Sequence, residues 1–157
     1  MADDVLSFQG PDREALLAVA KKAVASLCSL EPDAVKVDED GDILCTGDSS
    51  GVYVGVDQGP PALIFRCSVL SGIEESPALY ALLNEINNDL ALGQIYYNMQ
   101  YKEVRYYYKY FAENPSPELV AYIISEMVDI ADLYDDRLKT RLGGERFIEV
   151  DEDEVEV

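Results

Sequence analysis

The sequence contains no histidine and no tryptophan, and only 12 of its 157 residues are basic against 31 acidic ones. Without histidine it lacks the commonest general base and the commonest metal ligand at once, which disfavours catalysis and predicts no metal site. The shortage of lysine and arginine leaves a net charge of -19, so phosphate backbones and anionic lipid surfaces are repelled. No segment reaches the roughly 18 continuous apolar residues of a membrane span, and the opening MADDVLSF lacks the basic-then-apolar order of a leader. A soluble, cytoplasmic protein without nucleic-acid or membrane partners is expected. The three cysteines, Cys28, Cys45 and Cys67, are widely spaced, odd in number and outside any CxxC pattern. They read as small apolar groups buried in a reducing compartment.

What is present is a clear succession of periods. After Gly10-Pro11, Leu16, Leu17, Ala20, Ala23, Val24 and Leu27 recur at helical spacing up to about Ser29. Beyond Glu31-Pro32-Asp33 the period falls to two: Val35 and Val37 lead into Asp38-Glu39-Asp40-Gly41-Asp42, and Ile43-Leu44-Cys45 lead out, a hairpin pattern. Gly51–Val56 and Ala62–Leu70 add two more strands, making a four-strand meander. Ser76-Pro77 caps a second helix whose stripe is Leu79, Leu82, Leu83, Ile86 and Leu90, stopped at Gly93. Two strands follow, about 94–101 and 103–111. Ser116-Pro117 then caps a last helix to Leu142, roughly 40 Å long at 1.5 Å per residue. The order α-β-β-β-β-α-β-β-α describes a single α+β domain over residues 1–144 with an antiparallel sheet. Residues 145–157, with Asp151-Glu152-Asp153-Glu154, read as an acidic tail kept mostly disordered by self-repulsion.

Three groups of residues invite a functional reading. Asp38-x-Asp40-Gly41-Asp42 resembles the start of a calcium loop, but the sixth and twelfth places hold Ile43 and Ser49 where glycine and glutamate are needed, so a plain turn is favoured. Asp129, Asp132, Asp135 and Asp136 share a helical face that could hold a hard cation; a solvated acidic face is the favoured reading. Asn84 and Asn87 are neighbours inside a strong helix, a place asparagine avoids unless it caps a backbone edge or bonds across an interface. Simple exposure is an equal alternative.

The remaining signal is tyrosine. Seven of the eleven lie within residues 96–111. Alternation puts Ile95, Tyr97, Met99, Tyr101, Val104, Tyr106, Tyr108 and Tyr110 on the core face and leaves Tyr96, Tyr107 and Phe111 on the other. Base stacking on these rings would need a basic groove, which the charge denies. Tyrosine is enriched at protein interfaces, so Tyr107 and Phe111 are expected in a subunit or client contact.

The turn DEDGDI, the strand GVYVGV, the segment GPPALIFRCSVL, the helix LYALLNEINNDLALG and the final helix DIADLYDDRLKTRLGG, in that order over about residues 12–144, resemble the YbjN-like proteins. These are related to the type III secretion chaperones of the CesT and YopN-chaperone kind. The resemblance implies a secretion-chaperone-like fold in a homodimer that binds polypeptide clients without catalysis, cofactor or ATP. It places Asn84, Asn87 and the hairpin 95–111, with Tyr96, Tyr107 and Phe111, at or near the dimer contact. It also gives the sheet and first helix apolar patches for an extended segment. The tyrosine-rich hairpin and acidic tail depart from the family pattern. A second function class is an acidic mimic of nucleic acid that occupies a basic protein's groove. An enzyme with paired carboxylates is a third, for which no pair stands out.

Overall fold

The computed structural model describes residues 8, 10–57 and 59–149. Its elements are α1 (Arg13–Cys28), a single 3-10 turn (Pro32–Ala34), β1 (Ile43–Thr46), β2 (Gly51–Val56), β3 (Leu63–Leu70), α2 (Pro77–Asp89), β4 (Gln94–Asn98), β5 (Glu103–Tyr110) and α3 (Pro117–Leu142). All strand pairs are antiparallel, in the spatial order β1-β2-β3-β5-β4. The expected α+β class and the order of helices and hairpins hold.

Each helix begins where a side chain can accept from an orphan N–H. Asp12 accepts from Ala15 N at 2.8 Å, two residues later than the Gly10-Pro11 signal implied. Ser76 and Ser116 accept from Leu79 N and Leu119 N, both at 3.1 Å, with Pro77 and Pro117 in the first turn. α1 ends on Ser29 in the left-handed region at φ 53°, and α3 on Gly143 at φ 73°.

One sheet face is buried. Ile43, Cys45, Val52, Val54, Phe65, Cys67, Val104 and Tyr106 share this face with Ile95, which lies by α2, and α1 and α3 contribute Leu16, Ala20, Ala23, Val24, Val120, Ile124, Met127 and Leu138 to the same core. Core tyrosines spend their hydroxyls on loop carbonyls: Tyr97 donates to Ile73 O and Tyr106 to Leu92 O, each at 2.6 Å. The other sheet face, with Leu44, Tyr53, Ile64, Arg66, Arg105, Tyr107 and Lys109, is half-buried or exposed.

Two strand expectations need correction. Val35 and Val37 form no strand: Val35 N–H is used by the 3-10 turn at Pro32 O, and Asp38 Oδ1 gathers the N–H groups of Asp40 and Asp42 into a compact loop before β1. Three strands, not four, therefore precede α2. β4 stops at Asn98 rather than 101, because Asn98 Oδ1 accepts from Gln100 N and Tyr101 N and turns the chain. Met99 and Tyr101, expected in the core, are 65% and 58% exposed.

Candidate functional site

The two edges of the sheet differ. On the β4 edge Asn87 clamps the backbone of Ile95, donating from Nδ2 to its carbonyl at 2.7 Å and accepting its N–H at 2.8 Å. This is the edge-capping alternative for an asparagine inside a helix, and it blunts β4 where a further strand would pair. Asn84 is exposed on the same helix. Among the described residues β1, at the other end of the strand order, pairs only with β2.

Beside that open edge runs a groove of about 630 Å³ whose lining is mostly apolar, with Val24, Leu30, Val35, Val37, Leu44 and Tyr53, and also includes Lys36, Asp38 and Asp42. Its walls come from the end of α1, the loop that replaces the missing strand, and β1–β2. Leu30 and Leu44, which line it, expose 49% and 41% of their surface. Below it, burial and then the neighbouring Cys28 push the Cys45 thiol up to about 11. A smaller cleft of about 390 Å³ separates α2 from α3, but its rim carries Glu85, Asp89, Arg137 and Arg141, a poor seat for an apolar segment.

The expected interface residues fall away from this groove. Tyr96 and Tyr107 lie on the open sheet face, Tyr96 opposite Arg105 and Tyr107 between Arg66 and Gln94 in the strand register. Both are half-buried. Phe111 is 50% exposed, edge-on to Phe8 with ring centres 6.4 Å apart and with Lys109 Nζ 5.0 Å above its ring. The cations on this face are paired: Arg66 with Asp42, Arg105 with Glu103 and Lys109 with Asp57.

Of the four α3 aspartates expected on a solvated acidic face, Asp129 and Asp136 are exposed, but Asp132 and Asp135 turn inward. Asp132 accepts from Asp48 N, Ser49 N and Ser49 Oγ, each at 3.1 Å, and the fully buried Asp135 accepts from Ser49 Oγ at 2.5 Å. Burial pushes Asp132 up, but the donors of Ser50, Asp48 and Ser49 together outweigh it and hold the carboxyl below its ordinary range. For Asp135 burial dominates and the pKa is raised, against the pull of Ser49 and Arg146. These carboxylates tie the β1–β2 turn to α3, and Gly47 permits it: a Cβ there would stand 2.7 Å from Asp132 Oδ2. The i, i+3 spacing was visible in the sequence; the partner 83 residues away was not.

Beyond α3, residues 145–149 also dock. Glu145 and Ser71 exchange backbone bonds of 2.9 and 3.0 Å, and Arg146 faces Asp135 and Asp136. The acidic run 151–154 lies outside the described residues.

A family model described as T3SS (YopN, CesT) and YbjN peptide-binding chaperone 1 matches residues 14–150. No curated protein matches the sequence. Among solved structures, a chain of the ExsC-ExsE complex superposes with a TM-score of 0.63 at 15% identity, covering 80% of this chain and 96% of that one. A chain of the HopA1-SchA chaperone-effector complex superposes at 0.61 and 9% identity, over 80% and 99%. At such identities the likeness is one of fold.

Proposed function

Because the chain belongs to the family of T3SS (YopN, CesT) and YbjN peptide-binding chaperones, we propose that it is a non-catalytic, cytoplasmic protein that holds an extended client segment in the groove beside β1. The observation that carries this reading is the pairing of an open strand edge with an apolar trough along it. An extended peptide laid there gains main-chain hydrogen bonds from β1 and buries alternate side chains against Leu30, Val35, Val37 and Leu44. The -19 charge keeps the loaded protein soluble and favours basic clients.

The protein acts as a homodimer in this reading, with Asn84, Tyr96, Tyr107 and Phe111 at or near the contact and Asn87 supporting it by holding β4. What supports that placement is the exposed or half-buried aromatic area on and beside the open sheet face, on β4 and β5 rather than on β1. The nucleic-acid mimic is the weaker reading, since Asp132 and Asp135 point inward at Ser49 and are lost from any outward row of carboxylates.

A phage-displayed peptide library tests the client groove. Enriched peptides should bind the full chain and lose at least about tenfold in affinity on Val37→Asp or Leu44→Asp. No enrichment, or binding indifferent to both substitutions, would remove the reading. Light scattering at micromolar concentration tests the dimer, and a strict monomer would eliminate it.

A further inference from the structure

Residues 145–149 leave α3 and return across the end of the sheet like a bound peptide. Glu145 pairs with Ser71 through both backbone bonds, and Ile148 N–H donates to Ser49 O at 2.9 Å. Between these anchors the Arg146 side chain is 11% exposed, with Nε 3.7 Å from the buried Asp135 Oδ1 and a bond to Asp136. Phe147 turns to the open sheet face, where its ring stands edge-on to Tyr53 with centres 6.1 Å apart. The floor beneath it is Gly51: a Cβ there would lie 2.6 Å from Phe147 Cε1. Leu44 and Tyr53, which wall this notch, also line the groove beside β1.

Strand-like backbone bonds, a basic side chain on two carboxylates and an aromatic ring in a glycine-floored notch are the contacts that recognise a short extended segment. The aromatic contact is left partly open, since Phe147 remains 38% exposed. We propose that Arg146-Phe147-Ile148 is an internal stand-in for a client. The notch over Gly51, with Asp135 and Asp136, is then a subsite for a basic–aromatic–aliphatic segment, and the strap must leave before that segment enters. The proposal rests on the peptide-binding reading above and names both the client chemistry and its regulation. Because the strap is tethered, its effective concentration outcompetes a free peptide in the wild-type chain.

The probe is a fluorescent peptide repeating residues 144–149, titrated by anisotropy into the full-length chain. Phe147→Ala should bind it roughly tenfold tighter than the wild type does, the factor expected if the strap occupies its own site about nine-tenths of the time. Gly51→Val should abolish binding by filling the notch, and a peptide with its Phe replaced by Ala should bind neither protein. On the unmodified protein, saturating peptide should speed hydrogen exchange at the Glu145 and Ile148 amides. Equal affinity for wild type and Phe147→Ala, or unchanged exchange with peptide bound, overturns the proposal. Failure of this peptide while library peptides still bind the groove also overturns it and leaves the client-binding function standing. Failure of both classes removes both.

Discussion

Replacing Asp132 by alanine should cost about 2–3 kcal/mol of stability, which is large for a half-exposed acidic residue in so acidic a protein. Three donors converge on this carboxylate. Asp48 is exposed, so its N–H can turn to water, and the Ser49 hydroxyl keeps Asp135. The Ser49 N–H, in a residue 7% exposed, has no such recourse and carries a desolvation cost of about 1–3 kcal/mol when orphaned. The lost charge-assisted bonds add about 1 kcal/mol more. Asp132→Asn keeps one acceptor oxygen and should lose about 1 kcal/mol. Urea unfolding followed by far-UV circular dichroism measures both, with an unchanged m-value. The pH dependence provides a second check. A carboxyl held below 3.8 in the folded state contributes stability that is present above 3.8 and lost as pH falls through the folded pKa. The gap between wild type and Asp132→Ala should therefore close on acidification. A loss below about 0.5 kcal/mol at neutral pH, or a gap that widens in acid, would refute the anchoring role of Asp132.

Asp135 should behave with the opposite sign: its raised pKa means the folded state binds its proton more tightly, so stability is lost as pH rises from 3.8 through the folded value. Asp135→Asn should accordingly gain on the wild type across that window, and a curve running the other way would contradict the burial argument. Burial pushes Cys67 up to about 12 as it does Cys45 to about 11, while Cys28 is exposed. Ellman's reagent at pH 8 should find one reactive thiol in the native protein and three in denaturant; three in the native state would contradict the packing. Asn87→Ala strips both partners from Ile95 at the β4 edge and should cost about 1–2 kcal/mol in urea unfolding, with no loss expected if the clamp were incidental.

Much of the frame was legible before any coordinates. Ser76-Pro77 and Ser116-Pro117 announced two helix starts, and alternation separated Ile95, Val104 and Tyr106 from Tyr96 and Tyr107 correctly. The same alternation failed at Met99 and Tyr101, because the turn there is made by an asparagine side chain and a left-handed Lys102 rather than by glycine or proline. Val35 and Val37 looked like a strand for a different reason. A period of two marks extended backbone but does not supply a neighbour to pair with.

Caps, stops and faces were determined by the sequence itself, since each depends on residues no more than a few positions apart. The pairing of β3 with β5, the open edge of β1, the grip of Asp132 and Asp135 on Ser49 and the seat of Phe147 over Gly51 were decided only by tertiary structure. These contacts join segments tens of residues apart, and the burial that makes a carboxylate an anchor or a glycine a binding notch exists only once those segments have met.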